Sequence, residues 1–311
     1  MTPTREGGAV AVLGSGSIGV AFAIVFARAG FEVRVWDPYE ESLVRASDDL
    51  LVRLSMLLEA EQLPEGTKRV AARVTFGTDL AMSINGVALV QECVPEDLVL
   101  KRDLLARVGR LNRTAVLASS SSALVPSQYA AGLACQDRVL GGHPGNPPYL
   151  IPVLELVPSI HTSAETVDMA EGVYRMAGLH TVRVHGEPEG FVFNRLQGAI
   201  LREAYCLLRD GVASVEGIDE VVRSGLGRRW CFIGPFETAD LNTRGGVAAH
   251  AERMGPAYAR MGAERGQHDP WTPELVTEVS KQRREVLPLD AWEERVHWRD
   301  RQLMRWRRYF G

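Results

Sequence analysis

Between Val10 and Asp37 the chain reads as an apolar strand, a glycine turn, a helix and a second strand, and no other stretch restricts the fold as much. Ala9 to Leu13 is an unbroken β-prone apolar run, which suits a strand covered on both faces. Gly14, Gly16 and Gly19 follow as G-x-G-x-x-G. In that pattern the first glycine permits a tight turn. The second lets backbone approach a pyrophosphate, and the third lets the helix pack closely on the strand. Ser17 and Ile18 begin the helix, whose positive N-terminal end then faces the phosphates. Asp37 closes the second strand 18 residues past Gly19, where a carboxylate accepts hydrogen bonds from an adenosine ribose and repels a 2′-phosphate. Pro38 and Tyr39 beside it supply no cation, so NAD is the expected cofactor rather than NADP.

The alternation set up there continues. Strands are predicted at Val33–Trp36, Val74–Thr78, Ala88–Val90, Ala115–Ala118, Arg138–Gly141, Val153–Val157 and Thr181–Val184. Between them, helical spacing of apolar residues falls at Tyr39–Gln62, Asp97–Val108, Pro126–Gly132 and Ala164–Gly178. This is the pattern of an α/β, doubly wound, Rossmann-type and mostly parallel sheet. After Gly186 strand signals stop, and helical periods run over Phe191–Arg209, Ser214–Ser224, Pro235–Met254, Thr272–Val286 and Ala291–Phe310. With 311 residues, more than one domain is expected: residues 1–187 as the NAD-binding domain and 188–311 as a smaller all-helical domain for substrate and dimerisation. Substrate is expected in the cleft between them. Helices with this much apolar surface predict a homodimer.

Hydrophobic residues make up 46% and charged residues 24%, and the net charge of −4 gives no support to nucleic-acid or membrane-surface binding. The polar N-terminus and the lack of a long apolar run predict a cytoplasmic protein. Cys93, Cys135, Cys206 and Cys231 are far apart and lie in apolar stretches, which reads as reduced core thiols with neither disulfides nor a metal site. The C-terminal stretch from Trp298 mixes arginines with aromatics. It is expected to dock on the helical domain rather than on a membrane, because Glu293, Glu294 and Asp300 offset its charge.

His143 ends a strand of the sheet, on the edge where doubly wound sheets hold their ligands. Oxidising a carbinol needs a proton acceptor, and an imidazole titrating near neutrality is suited to it. Glu155 interrupts the apolar run Pro152–Val157, and a carboxylate there needs a partner unless it faces water at a sheet edge. Paired with His143, it would orient the ring and stabilise the imidazolium. Ser119 to Ser122 follow a strand and either contact ligand or form a capping turn. Asn194, at the start of the first helix of the second domain, either donates to a developing oxyanion or caps that helix. Asn146, in the turn after His143, is a further substrate candidate.

Taken together, the glycine turn, Q-E-C-V-P-E-D at 91–97, S-S-S-S-A-L at 119–124, H-P-G-N-P-P-Y at 143–149, V-L-E-L-V-P at 153–158, G-F-V-F-N-R-L-Q at 190–197 and G-L-G-R-R-W-C-F-I-G-P-F-E-T at 225–238 resemble the 3-hydroxyacyl-CoA dehydrogenase superfamily. Within it they resemble most the lambda-crystallin branch, whose active members are L-gulonate 3-dehydrogenases. The resemblance implies an NAD-dependent 3-hydroxy acid dehydrogenase with His143 as base and Glu155 as its orienting partner. It also implies that Ser122 contacts substrate and cofactor and that Asn194 donates to the substrate oxygen. Glu96 and Lys101 match positions near the nicotinamide ribose. Same-fold alternatives are a 3-hydroxyacyl thioester, on CoA or a carrier protein, and a carnitine-type substrate. A crystallin-like protein that binds NAD without turnover is the alternative outside enzymes. Prolines 144, 147 and 148 fit the lambda-crystallin type, whereas Gly145 replaces a bulkier residue and is expected to widen or loosen the pocket. Arg229 is a candidate clamp for a substrate carboxylate, with a helix-end role for it and Arg228 equally open.

Overall fold

A computed structural model describes residues 7–63, 65–244 and 246–265, together with isolated positions between 274 and 305. It divides into two compact units, Met1–Arg195 with His297–Gly311, and Leu196–Val296. The division falls eight residues past the expected 187, inside a helix, and the C-terminal segment joins the first unit.

The first unit is built on eight strands: β1 (Gly7–Leu13), β2 (Phe31–Trp36), β3 (Val74–Gly77), β4 (Leu89–Glu92), β5 (Val116–Ser119), β6 (Val139–Pro144), β7 (Val153–Pro158) and β8 (His180–Arg183). They lie in the order β3-β2-β1-β4-β5-β6-β7-β8. All neighbours are parallel except β6 and β7. Val10 to Leu13 are 0% exposed, as a strand covered on both faces requires. The order reverses between β1 and β4, and such a switch point opens a crevice at the carboxyl ends of the strands.

Helices α1 (Ser17–Arg28), α2 (Glu40–Glu59), α3 (Thr67–Ala71), α4 (Leu80–Ser83), α5 (Leu98–Leu111), α6 (Pro126–Ala130) and α7 (Ala164–Met176) flank the sheet. The short α3 and α4 carry too few apolar repeats to register as periods in the sequence. From Gly19 to Ala27 every residue of α1 is buried, and its Phe26 meets Phe31 edge-on at 5.8 Å and Tyr174 of α7 at 6.1 Å. Burying side chains of this size contributes about 1.5–3 kcal/mol each, so the glycine turn sits on one of the most firmly held parts of the unit. Met304 is 1% exposed within this same core, Leu303 packs against it, and the Gln62 side-chain amide donates to the Met304 carbonyl. The described part of the C-terminal segment thus docks on the sheet unit, not on the helical one as its charge pattern suggests.

Helix α8 (Phe193–Arg209) begins in the first unit and runs into the second, which continues with α9 (Val215–Val221), a π-turn at Val222–Leu226, α10 (Gly227–Trp230), α11 (Pro235–Asn242) and α12 (Gly246–Glu264). The expected single helix over 235–254 is broken. Asn242 ends α11, Thr243 is extended, and Gly246 turns with φ 75° while the Val247 amide donates to Asp240. The described positions within 272–286 and 294–305 are helical, whereas Arg299, Trp306, Arg307, Arg308 and Phe310 lie outside the described residues. None of the four cysteines is in a disulfide, but Cys231 is exposed rather than a core thiol.

Candidate active site

The backbone requires glycine at two of the three positions of the turn, 14 and 19. Gly14 has φ 100°, and a Cβ there would lie 2.7 Å from the Cys93 carbonyl oxygen. At Gly19 a Cβ would stand 2.0 Å from the Gly14 carbonyl oxygen, so the turn and helix close on each other only without a side chain. A Cβ on Gly16 would meet nothing within 4 Å and points into open space. That space belongs to a cleft of about 1370 Å³ lined by residues 14–18, 37–39, Val94 and Pro95. Asp37 is held there by the Ser15 amide (3.0 Å) and hydroxyl (2.8 Å) on one oxygen and by the Tyr39 amide (3.1 Å) on the other. An open cradle at the N-terminus of α1, with a fixed carboxylate in its lining, fits a dinucleotide. Sequence proximity missed three cations that line the same cleft: Arg45 of α2, which donates to Ser42 at 2.9 Å, and Arg107 and Arg110 of α5.

Beyond the cleft, β4 and α5 enclose a charged network. The Lys101 ammonium lies 3.0 and 3.1 Å from the two Glu92 oxygens and 3.4 Å from Glu96, and its side chain is 1% exposed. Ser119 donates to Glu92 as well. Burial pushes the Glu92 carboxyl above its ordinary value, against the pull of Lys101 and Ser119. At Glu96 burial acts the same way, but the Ser121 hydroxyl, the Ala123 and Leu124 amides and Lys101 outweigh it and hold that carboxyl low. Glu92 and Ser119 carry no sequence signal of this role, since only the fold brings the ends of β4 and β5 together with α5.

His143 and Glu155 come together because β6 and β7 pair antiparallel with these two residues opposite each other. Imidazole Nδ1 is 2.7 Å from Glu155 Oε2, and both side chains are buried. The other oxygen, Oε1, accepts from the Val192 amide (2.7 Å) and the Phe193 amide (2.9 Å) at the start of α8. Burial alone would raise the Glu155 carboxyl. The hydrogen bonds from His143, Phe193 and Val192 prevail and keep it below the ordinary carboxylate value. An ionised carboxylate only accepts, so Nδ1 carries the proton in the neutral ring and Nε2 is the basic atom.

Of the four serines, Ser119 and Ser121 spend their hydroxyls on Glu92 and Glu96, Ser120 faces Cys93, and Ser122 is exposed. Ser122 lies three residues past the end of β5, on the sheet edge that also carries His143. Asn194 is the second residue of α8, half-buried next to the amides that hold Glu155. Asn146 is exposed and precedes a cis proline. Gly145 does not widen a pocket: a Cβ there would lie 2.7 Å from Ile151 Cγ2 and 2.9 Å from Val153 Cγ1, so those side chains fill the space a larger residue would take. In the second unit Arg229 and Arg228 are exposed on α10, and Arg229 donates to the Asn242 side chain at 3.3 Å. No cluster of three His, Cys, Asp or Glu residues able to hold a metal occurs among the described residues.

A doubly wound sheet with a glycine-turn cradle at its switch point and a histidine–carboxylate pair at the strand ends defines an NAD-dependent oxidoreductase. Residues 9–187 match the NAD-binding domain of 3-hydroxyacyl-CoA dehydrogenase and residues 190–286 its C-terminal domain, and the chain belongs to that family. It is 36% identical to lambda-crystallin of Oryctolagus cuniculus over 303 residues, covering 96% of this chain and 95% of that one. An L-carnitine dehydrogenase of Bacillus cereus is 35% identical over 87% of this chain and 81% of its own length. Among solved structures, the 5-formyl-3-hydroxy-2-methylpyridine 4-carboxylic acid 5-dehydrogenase, an NAD+-dependent dismutase, superposes with a TM-score of 0.83. It is 26% identical and covers 97% of this chain and 98% of that one.

Proposed function

We propose that this dehydrogenase oxidises the 3-hydroxyl of a small free hydroxy acid, in the manner of an L-gulonate 3-dehydrogenase. The observation that carries the chemistry is the 2.7 Å contact between His143 Nδ1 and a Glu155 carboxylate held ionised by two amides. NAD, when bound, supplies the hydride acceptor. His143 Nε2 takes the hydroxyl proton, and Glu155 stabilises the imidazolium that results. Ser122 and Asn194 hold the substrate oxygen, Asn146 is a further contact, and Arg229 clamps the carboxylate. Gly14, Gly16, Ser17, Ile18, Gly19 and Asp37 hold the dinucleotide, with Glu96 and Lys101 near the nicotinamide ribose, where the buried Lys101 acts through its contact with Glu96. That Ser122 is the exposed member of its run, with its neighbours' hydroxyls engaged, supports its assignment.

The proline-rich turn after His143, of the lambda-crystallin type, supports a free acid over a thioester. NADH formation tests this over L-gulonate, 3-hydroxybutyrate, carnitine and 3-hydroxybutyryl-CoA. Turnover of free acids is expected, and turnover of the thioester alone would sink the reading. Carnitine is the second reading, favoured by the 35% identity to a carnitine dehydrogenase. Apolar side chains exposed in the second unit, among them Phe236, Leu241 and Met261, support a homodimer, measurable by light scattering. We place the protein in the cytoplasm on its reduced cysteines, and cell fractionation checks this. No helix among the described residues is long and apolar enough to cross a membrane.

A further inference from the structure

Among the described residues only Glu61 and Phe191 have positive φ without being glycine, at 55° and 48°. Glu61 follows the end of α2, where left-handed backbone commonly ends a helix. Phe191 instead precedes a helix, is bulky and is 1% exposed. Left-handed backbone at such a residue persists only where the surroundings impose it, and such residues gather at functional sites.

Two consequences of this turn reach the His143–Glu155 pair. The chain reverses through Gly190 (φ 76°) and Phe191, so that the next two amides, Val192 and Phe193, both point at Glu155 Oε1. The Phe191 ring meets the His143 ring at 5.5 Å and 61°, an edge-on contact. The ring is anchored in turn by Val157 and Val184. The imidazole is therefore held along one edge by Glu155 and against rotation by an aromatic ring.

We propose that Phe191 is a positioning residue for this pair: its left-handed backbone aims two amides at Glu155, and its ring fixes the imidazole. The catalytic consequence rests on His143 being the base, but the geometric one does not. The test is 15N NMR of histidine-labelled protein, with the His143 signals assigned from their loss in His143→Gln. In the neutral ring of the wild type, Nδ1 is expected to carry the proton and Nε2 to be bare.

Phe191→Ala should mix the two tautomers and lower kcat roughly ten- to a hundredfold, the scale expected for a misplaced catalytic group, with the Kd for NAD unchanged. Phe191→Gly adopts positive φ freely, keeps the amides on Glu155, and should retain more kcat than Phe191→Ala. A wild-type tautomer and kcat in Phe191→Ala would overturn the proposal, and so would Phe191→Gly being slower than Phe191→Ala. Where Phe191→Ala does not fold, Phe191→Leu takes its place, with mixed tautomers expected and a wild-type spectrum overturning the role. If no substrate turns over, the functional reading fails, while the tautomer comparison still decides the role of Phe191.

Discussion

His143 and Glu155 stand directly opposite each other on the antiparallel strands β6 and β7, with Nδ1 2.7 Å from Oε2. They are twelve positions apart in the chain, and the proline-rich turn between them lets the second strand come back against the first. The pair is thus held by ladder hydrogen bonds rather than by flexible loops, which keeps a base and its partner in fixed geometry.

Substituting either partner has separable effects. His143→Gln should abolish turnover, by a factor of at least about 10² for loss of a general base, while NAD binding measured by fluorescence titration stays as in wild type. Glu155→Gln should also slow turnover, because an amide oxygen accepts from Nδ1 without stabilising the imidazolium.

Glu155 also links stability to pH. Its carboxyl is held below the ordinary value of 4.5, so the ionised form is favoured in the fold. A depressed folded value means that the stabilisation is fully present above the unfolded value and is lost as pH falls through the folded one. Urea unfolding should show the wild type losing ground to Glu155→Gln as pH falls below the ordinary carboxylate value of 4.5, where Glu155 takes up its proton. A gap that widens as pH falls through that range would contradict this.

The glycines of the turn predict a dissociation between stability and binding. Gly19→Ala drives a methyl into the Gly14 carbonyl at 2.0 Å and should lower Tm by several degrees, the shift expected for a loss of 1–3 kcal/mol. Gly16→Ala meets no protein atom and should leave Tm unchanged while weakening NAD binding, because its methyl occupies the cradle. Scanning calorimetry and NAD titration on both variants separate the two effects.

Cofactor choice should depend on Asp37. Asp37→Ser removes the carboxylate that excludes a 2′-phosphate, and Arg45 and Ser42 lie in the same cleft to receive one. The ratio of kcat/KM for NADP over NAD is expected to rise at least about tenfold, the equivalent of 1.4 kcal/mol. An unchanged ratio would show that Asp37 does not set it.

The Lys101–Glu92 pair predicts an asymmetry. Lys101→Met leaves Glu92 buried without its cation and should cost about 3–5 kcal/mol in denaturant unfolding, whereas Lys101→Met with Glu92→Gln should recover part of that loss. Additive losses in the double variant would mean that the two groups do not interact.

Much of this molecule follows from local sequence. Runs such as Ala9–Leu13 and Val153–Val157 are strands wherever they fall, because an apolar β-prone stretch between turn residues has few other ways to bury itself. The glycine turn is partly self-sufficient: Gly19 closes on Gly14 within one strand–turn–helix unit, whereas Gly14 also closes on Cys93 past the end of β4. His143 and Glu155 are visible as a polar residue at a strand end and a carboxylate in an apolar run.

Other features depend on which parts of the chain meet. The amides that hold Glu155 come from 37 and 38 residues further on, through a left-handed turn at a phenylalanine that no propensity favours. Gly145 reads as extra room until Ile151 and Val153 are seen to fill it. Arg45 enters the cofactor cleft from α2, and Met304 carries the C-terminal segment onto the sheet unit against the hint of its charges. The sequence by itself determined the strands, the nucleotide turn and the residue types able to do the chemistry, because these are written in patterns of residue type over a few neighbouring positions. Only the tertiary structure decided how the histidine is oriented and what surrounds it, because those contacts join residues far apart in the chain and are set by packing.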